Sequence, residues 1–337
     1  MAQPGPRNSL TDVVGLNVGC AGDTAAFTGV TVIVPDARAV CAVDVRGGGP
    51  GTRETDALAP ENLVDAVDAL VLSGGSVYGL AAADGVVAAM GAEGKGFGLV
   101  MQEGVPKSPV VPAAILYDLA NGGDKAWGAS PPYAELGRRA YAARSADIAL
   151  GNAGAGYGAM AGALKGGQGS ASVVASDGVT VAALACVNCW GSVIMPNSPA
   201  FWAWPFEIDG EFGGARPDTS ASFDAEGWGL SKLAAQARAN TTLGVVATDV
   251  ALTPAEATRV AHMATAGLAR AIRPVFAPFD GDVVFALSTG IREVEGLRAW
   301  HVARIGALAA DCLARAVARG VHAAQSLGGV KAWRDLA

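Results

Sequence analysis

Asn240 and Thr241 form the residue pair with the clearest chemical potential, because a polar segment gives way there to a β-branched, apolar run, ANTTLGVVATD. The Thr241 hydroxyl could attack the Asn240 carbonyl, convert the amide to an ester and let water complete the cut. The new N-terminal threonine would then carry a nucleophile and a base, its α-amine, on one residue. That amine has a reference pKa of about 7.7–8.0, so a useful fraction is neutral near pH 7. Taken alone, the eleven residues favour the simpler interpretation that Asn-Thr only begins a strand.

A second candidate group is the carboxylate pair Asp280 and Asp282 in PFDGDVVFALSTG, where the two acids flank a glycine just before an apolar strand. Two carboxylates this close repel each other, so one can hold its proton nearer neutrality. Such a pair can orient an amine and shuttle protons. Viewed alone, the segment favours a plain Asp-Gly turn with solvated acids.

Three single polar residues complete the set of candidates. Lys165 precedes a Gly-Gly turn in ALKGGQGSAS. It is either a solvated lysine at a helix C-terminus capped by Gly166, or a lysine drawn into a cleft, where it lowers a nucleophile's pKa or steadies negative charge. Asn188, in VNCWG, and Tyr117, in ILYD, lie beside apolar runs. Each of these two is, by itself, more often a satisfied buried polar residue than an oxyanion donor.

A dinucleotide site is a remote alternative. GAGYGA, from Gly154 to Ala159, satisfies G-x-G-x-x-A after an apolar run. The signal is weak because the chain has 46 glycines, and chance matches are expected. No acidic residue closes a second strand about 20 residues on, since Asp177 lies in a hairpin turn signal.

Other catalytic motifs fail. No P-loop is present, and the nucleophile elbow G-x-S-x-G fails at Ser76 because Tyr78 replaces the last glycine. The three histidines have no metal-ligand spacing; they are His262, His301 and His322. We therefore expect neither a cofactor nor a metal ion.

Composition limits the protein class. The chain has 337 residues, 51% of them hydrophobic, with a formal net charge of −7, which argues against a nucleic-acid surface. The start shows no secretory signal, and no apolar run is long enough for a membrane span, so the expected compartment is the cytoplasm. Five cysteines do not indicate a disulfide framework, and the Cys186–Cys189 CxxC is expected to be a pair of buried structural thiols.

The order of elements favours a layered α+β fold over a doubly wound sheet, because strands and helices occur in blocks. Alternating runs predict strands within residues 13–45, at 110–119 (strand or helix edge), on both sides of Ser176-Asp177-Gly178, at 241–252 and at 283–289. Helical spacing predicts helices at residues 63–71, 80–90, 132–146, 230–239, 253–272 and 297–320. The turn from Ser73 to Ser76 is expected to cap the helix at residues 80–90. Thr253 and Glu256 are expected to form a capping box at the start of the helix at residues 253–272. Residues 207–239 are expected to form an exposed linker.

Together, six stretches resemble the DmpA-type self-processing hydrolases (peptidase family S58), which are related in fold to ornithine acetyltransferase. They are LSGGSVYGLAAADGV, VVPAAILYDL, LKGGQGSAS, VNCWGS, NTTLGVVATD and FDGDVVFALSTG, in the family's order from about residue 70 to 290. Asn-Thr-Thr and Asp-Gly-Asp are most similar to the nylon-oligomer hydrolases. The β-aminopeptidase and D-aminopeptidase members use serine where this chain has Thr241, which argues against strict aminopeptidase activity.

The resemblance implies an αββα-like sandwich, cut between Asn240 and Thr241. Residues 1–240 would form the α subunit and residues 241–337 the β subunit, which remain associated as one joint globular domain. Related enzymes assemble further, so a homo-oligomer of αβ units is expected. No nucleic-acid or membrane partner is implied.

The resemblance also implies residue roles. Thr241 would be the nucleophile for self-cleavage and turnover, with Lys165 close to it. Asn188 and Tyr117 would donate to the oxyanion, while Asp280 and Asp282 orient Thr241 and its amine. The implied substrates are ω-amino-acid oligomers such as 6-aminohexanoate oligomers, or short peptides. The alternatives are an aminopeptidase, an acyl transferase of the ornithine acetyltransferase type, and a self-cleaved binding protein without activity.

Overall fold

Apolar runs separated by glycine-rich turns fold into two sheets and the helices that cover them. The computed structural model describes residues 2–100, 102–218, 220, 224–232 and 240–336. Its strands are β1 (Leu16–Asp23), β2 (Thr28–Pro35), β3 (Val40–Val45), β4 (Thr52–Arg53), β5 (Leu70–Ser73), β6 (Ala113–Ile115), β7 (Met160–Ala161), β8 (Leu164–Lys165), β9 (Gly167–Val174), β10 (Thr180–Asn188), β11 (Thr241–Val250) and β12 (Val283–Arg292). Its α-helices are α1 (Ala82–Ala92), α2 (Tyr133–Ala142), α3 (Pro254–Ala264), α4 (Ala266–Ala271) and α5 (Arg298–Ala323).

The two sheets each contain five strands. The first has the order β1-β2-β5-β6-β4, and the second has the order β3-β12-β11-β10-β9. In the second sheet β11 pairs in parallel with β12 and antiparallel with β10. The strands β7 and β8 form a separate small hairpin.

The sheets pack face to face between two layers of helices. Leu72 of the first sheet and Val245 and Phe285 of the second belong to one buried cluster between the sheets. Helices α1 and α2 cover the outer face of the first sheet, and α3, α4 and α5 cover the outer face of the second. Every residue of β11 is buried, which explains its almost continuous apolar run. The predicted α+β, αββα-like sandwich is therefore confirmed.

Local turn and cap signals predicted several elements correctly. The β9–β10 hairpin turns at the predicted Ser-Asp-Gly. The Thr253 hydroxyl accepts from the Glu256 N–H (3.3 Å) while a Glu256 carboxylate oxygen accepts from the Thr253 N–H (2.9 Å), which is the predicted capping box. The predicted helix 253–272 forms, but it is divided at Thr265 into α3 and α4.

The prediction of a helix at residues 63–71 is wrong. Leu63 is fully exposed, and Leu70–Ser73 is the central strand of the first sheet. A short apolar run buried on both faces has no alternation, so its spacing does not distinguish a strand from a helix. The Ser73–Ser76 turn does not cap a helix with a side chain either; α1 begins at Ala82, after six residues of 3-10 helix.

The structure also describes the glycine motif and the first part of the predicted linker. Gly154–Gly156 is a single turn of 3-10 helix followed by β7, so the glycine motif lacks the strand-turn-helix context of a dinucleotide site. In the predicted linker, Phe212 is buried and Glu211 forms an ion pair with Arg315 of α5 (2.6 Å), so its first part packs against the fold. The described residues leave out 219, 221–223 and 233–239 of the linker, and therefore most of the predicted helix 230–239.

None of the helices in the described parts of the chain combines the length and the apolar character that crossing a bilayer requires.

Candidate active site

Thr241 lies at one end of the second sheet, where three strand ends meet. It is the first residue of β11, and its register partner is Asn188, the last residue of β10. On the other side Asn240 pairs with Asp280, just ahead of β12. Residues far apart in sequence meet here because β11 lies between β10 and β12, and their ends align.

The Asn240 carbonyl oxygen accepts two hydrogen bonds. The Thr241 hydroxyl donates one, and the Gly281 N–H donates the other at 2.8 Å. Thr241 is buried, with 3% of its surface exposed. A Cβ added to Gly281 would lie 2.6 Å from the Thr241 Oγ, so only glycine fits beside this hydroxyl. The carbonyl at the predicted cut therefore has a hydroxyl and an N–H donor directly against it.

Asp280 and Asp282 are buried beside this carbonyl. The Asp282 carboxylate accepts hydrogen bonds from the backbone N–H groups of Thr242 (2.6 Å) and Phe276 (3.2 Å). The Asp280 carboxylate accepts them from the backbone N–H groups of Trp190 (3.3 Å) and Ala277 (3.3 Å). Burial, and then the charge of Asp280, raise the pKa of Asp282 to about 7. Burial also raises the pKa of Asp280. The pair can therefore hold a proton near neutral pH, unlike the solvated acids of a plain turn.

Lys165 is buried rather than solvated. Its ammonium donates to the backbone carbonyl oxygens of Gly166 (2.7 Å), Ala159 (2.9 Å) and Gly156 (3.3 Å). Burial lowers the pKa of Lys165 to about 7, and the charge of Asp118 opposes this effect. Lys165 thus fixes the backbone of residues 156–159 through its hydrogen bonds. Its expected influence on Thr241 stays a prediction.

Asn188 connects the end of β10 to two loops. Its side-chain N–H donates to the Tyr117 carbonyl oxygen (2.9 Å), and its oxygen accepts from the Met160 N–H (2.9 Å) and from the Asn121 amide (3.2 Å). Tyr117 thus contacts Asn188 through its backbone. The oxyanion roles of Asn188 and Tyr117 stay predictions.

The sequence analysis did not single out Lys232 or Gly281. The Lys232 ammonium donates to the Asn188 carbonyl oxygen (3.2 Å), and burial lowers the pKa of Lys232 to about 8, against the opposing charges of Cys189 and Asp280. Lys232 falls in a segment whose composition indicates a linker, so no local signal marks it. For Gly281 a signal exists, because a glycine between two acids implies a close backbone approach.

A cavity of about 650 Å³ opens beside this group. Asn240, Tyr117 and Lys232 contribute to its wall, together with Asn121 and Met160. Asn240 therefore borders a space large enough for a small organic chain.

The buried lysine gives a pH-dependent stability that can be measured. The pKa of Lys165 is about 7 in the fold, against an ordinary value of 10.5, so the unfolded chain binds more protons between these pH values. Stability should therefore rise with pH in that window, by up to about 1.4 kcal/mol per pH unit from this residue. We expect Lys165→Met to remove this contribution, as measured by urea unfolding at pH 7, 8 and 9.

The matched control is Lys107→Met, because Lys107 is exposed. It should keep the wild-type slope of unfolding free energy against pH. If the unfolding free energy of Lys165→Met rose with pH as steeply as that of the wild type, the result would contradict the lowered pKa of Lys165.

Comparison with known proteins identifies the family. The model of peptidase family S58 matches residues 8–334. A Mycobacterium tuberculosis protein named an uncharacterized aminopeptidase is 44% identical, over 98% of this chain and 98% of its own length. A 6-aminohexanoate-oligomer endohydrolase of a Kocuria species is 30% identical over an alignment of 286 positions, which covers 82% of this chain and 74% of that protein.

Solved structures with the same fold are more distant in sequence. A β-aminopeptidase from a Burkholderia species matches 98% of this chain and 92% of its own, with a TM-score of 0.73 and 23% identity. The L-aminopeptidase D-Ala-esterase/amidase of Ochrobactrum anthropi, described as a variant of the Ntn hydrolase fold, matches 98% and 90%, with a TM-score of 0.72 and 21% identity. The match over almost the whole length, together with the sequence relatives, leads to one conclusion: the chain belongs to peptidase family S58 and is a hydrolase of peptide or amide bonds.

Proposed function

We propose that this protein cuts itself between Asn240 and Thr241 and then hydrolyses amides with Thr241 as an N-terminal nucleophile. One observation carries the proposal. The Asn240 carbonyl oxygen is held by the Gly281 N–H at 2.8 Å and contacts the Thr241 hydroxyl. A carbonyl with a donor on its oxygen and a hydroxyl beside it is arranged for acyl transfer.

Self-cleavage would begin with attack of the Thr241 Oγ on the Asn240 carbonyl carbon. Its proton passes to the Asp280–Asp282 pair, whose raised pKa values suit a group that takes and returns a proton near pH 7. The Gly281 N–H stabilises the oxyanion, and a donor of this kind is typically worth roughly 2.7–4 kcal/mol. The C–N bond then breaks, the Thr241 nitrogen takes the proton, and water hydrolyses the resulting ester.

Turnover would use the same hydroxyl. The free α-amine of Thr241, or an aspartate of the pair, takes the hydroxyl proton as Thr241 attacks the substrate carbonyl. Asn188 and Tyr117 are the proposed oxyanion donors, and Lys165 is proposed to hold this end of the site in place. The amine product leaves with a proton, and water releases the acyl group from Thr241.

Two substrate classes are candidates. The 30% identical relative is named for 6-aminohexanoate oligomers, and a threonine at the proposed cut supports this class. The 44% identical relative is named an aminopeptidase, which supports short peptides instead. We propose the first class, ω-amino-acid oligomers, as the principal one.

The two fragments would remain one particle. In the second sheet, β11 and β12 belong to residues 241–337, while β3, β10 and β9 belong to residues 1–240. Separation would break the backbone ladders β3–β12 and β10–β11. We propose that the αβ unit forms homo-oligomers, and that it works in the cytoplasm, where free thiols such as its five cysteines persist.

The test combines intact mass with a substrate panel. We expect two fragments, residues 1–240 and 241–337, and release of 6-aminohexanoate from its oligomers. Accumulation of N-acetylglutamate from N-acetylornithine and glutamate would instead indicate acyl transfer. Processing without activity on the amide panel would indicate a binding protein. An uncut chain that still hydrolyses amides would overturn the proposed mechanism.

A further inference from the structure

The short segment that contains Lys232 packs against the loop that carries the two acids. The Trp190 ring contacts the rings of both Trp228 and Phe279, with centroids 5.2 and 4.9 Å apart. Trp228 lies four positions before Lys232, and Phe279 directly precedes Asp280. Edge-to-face contacts of this kind stabilise packed aromatic rings beyond the area that they bury. The three rings therefore hold the lysine segment and the acid-bearing loop together.

Lys232 holds the chain at the end of β10 with two hydrogen bonds. Its ammonium donates to the Asn188 carbonyl oxygen (3.2 Å), and its backbone N–H donates to the Trp190 carbonyl oxygen (2.9 Å). The Trp190 N–H in turn donates to the Asp280 carboxylate (3.3 Å). Lys232 therefore fixes a backbone segment whose own N–H binds one of the two acids.

The Lys232 ammonium also acts on this acid through its charge. Burial lowers the pKa of Lys232, and the charges of Cys189 and Asp280 oppose that effect. Burial raises the pKa of Asp280, and its two backbone hydrogen bonds and the charge of Lys232 oppose that effect. Lys232 thus favours an ionised Asp280, whereas burial and the charge of Asp280 favour a protonated Asp282.

Three further titratable side chains lie on segments that contact the two acids. Burial raises the pKa of the Cys189 thiol, so this thiol is uncharged near pH 7. The Arg46 guanidinium donates to the Asp44 carboxylate (2.8 Å), and the Arg273 guanidinium donates to a backbone carbonyl oxygen (3.3 Å). Lys232 is therefore the cation that we assign to the acid pair.

We propose that Lys232 is a positioning residue that keeps a single proton on the acid pair, with Asp280 ionised and Asp282 protonated. A pair in this state can take the proton of the Thr241 hydroxyl and return one to the Thr241 nitrogen, so it begins and ends the cut with one proton. Lys232 lies in the larger of the two proposed fragments and both acids lie in the smaller, so both fragments contribute to proton transfer. The inference deepens the proposed function and rests on it.

The first test is a titration of the acid pair in the uncut chain. Thr241→Ala removes the hydroxyl and prevents release of the α-amine, so this titration does not depend on the proposed cut. Carbon NMR of aspartate carboxyl groups follows the pair from about pH 4 to 9, and Asp280→Asn and Asp282→Asn assign its signals. Lys232→Met should move the first ionisation of the pair upward by at least about one pH unit, because a nearby opposite charge lowers a carboxyl pKa by that much or more.

Lys232→Arg and Lys331→Met are the matched controls. The first keeps the charge and should titrate closer to the Thr241→Ala parent than to Lys232→Met. The second removes a charge from the same cavity wall, but Lys331 is exposed and its charge is screened, so the pair should titrate as in the parent. Asp118, whose pKa burial raises to about 6, is the internal reference and should titrate alike in every variant.

Two results of this titration would overturn the inference. One is an unchanged first ionisation in Lys232→Met, and the other is an equal upward movement in Lys331→Met, which would show that net charge alone matters. Circular dichroism checks that each variant folds. If Lys232→Met does not fold, Lys232→Gln replaces it, because glutamine keeps a donor without the charge and should move the ionisation in the same direction.

The second test is the pH dependence of the cut. With Thr241 present, Lys232→Met should move the acidic limb of the cutting rate upward by at least about one pH unit, which makes the cut at least about tenfold slower on that limb. A rate lowered equally at every pH would indicate a purely structural role and contradict the inference. An uncut wild type would sink the proposed function while the titration still decides the inference. A cut that depends on Thr241, with an unchanged titration, would sink the inference alone.

Discussion

Thr241→Ala is expected to leave the chain full length and without amidase activity. The variant removes the only hydroxyl that contacts the Asn240 carbonyl among the described residues, so neither the ester nor an acyl-enzyme can form. We expect the rate of amide hydrolysis to fall by at least about four orders of magnitude, as for other enzymes that lose their nucleophile. A denaturing gel and intact mass follow the cut, and hydrolysis of 6-aminohexanoate oligomers follows the activity.

Thr241→Ser is the matched control. It keeps the hydroxyl and removes one methyl group, so both the cut and amide hydrolysis should persist, at a rate within about tenfold of the wild type. If Thr241→Ala still appears as two fragments divided at residue 240, another group performs the cut. If Thr241→Ser is as inactive as Thr241→Ala, the methyl packing rather than the hydroxyl is what matters.

The sequence singles out candidate residues of this site but not their arrangement. Thr241, Asp280 and Asp282 are recognisable because they are polar residues at the start of a buried strand or directly before one. The structure brings them together because β11 and β12 are parallel neighbours. Lys232 was not predictable from its neighbourhood, since its position depends on a hydrogen bond to the distant Asn188 carbonyl.

Fold prediction failed where burial hides the periodicity of a strand. The stretch from Leu63 to Val71 has helical spacing, yet the strand Leu70–Ser73 is covered by the second sheet on one face and by α1 and α2 on the other. The Thr253 capping box was predictable because it needs only residues three apart. Phe212 was expected to lie in an exposed linker because the residues around it are rich in glycine and acidic side chains. It packs in the core beside Phe201 instead.

Gly281 lies between the two acids in sequence and next to the Thr241 hydroxyl, and the second large prediction concerns this residue. Its N–H donates to the Asn240 carbonyl, and its flanking residues are Asp280 and Asp282. Gly281→Ala keeps the N–H but adds a Cβ 2.6 Å from the Thr241 Oγ and 2.8 Å from the Gly49 carbonyl oxygen. Contacts below 3.0 Å require atoms to move, so the loop must shift and carry the Gly281 N–H away from the Asn240 carbonyl.

We expect Gly281→Ala to slow the cut by at least about 100-fold, which is the cost of removing one oxyanion donor. The conversion of freshly expressed chain, followed by intact mass over time, measures this rate. Gly91→Ala is the matched control, because a Cβ at Gly91 in α1 meets no atom within 4 Å, and it should cut at the wild-type rate. Circular dichroism melting of both variants confirms that the fold is retained. A Gly281→Ala chain that folds and cuts as fast as Gly91→Ala would remove Gly281 from the mechanism and leave the oxyanion to another donor.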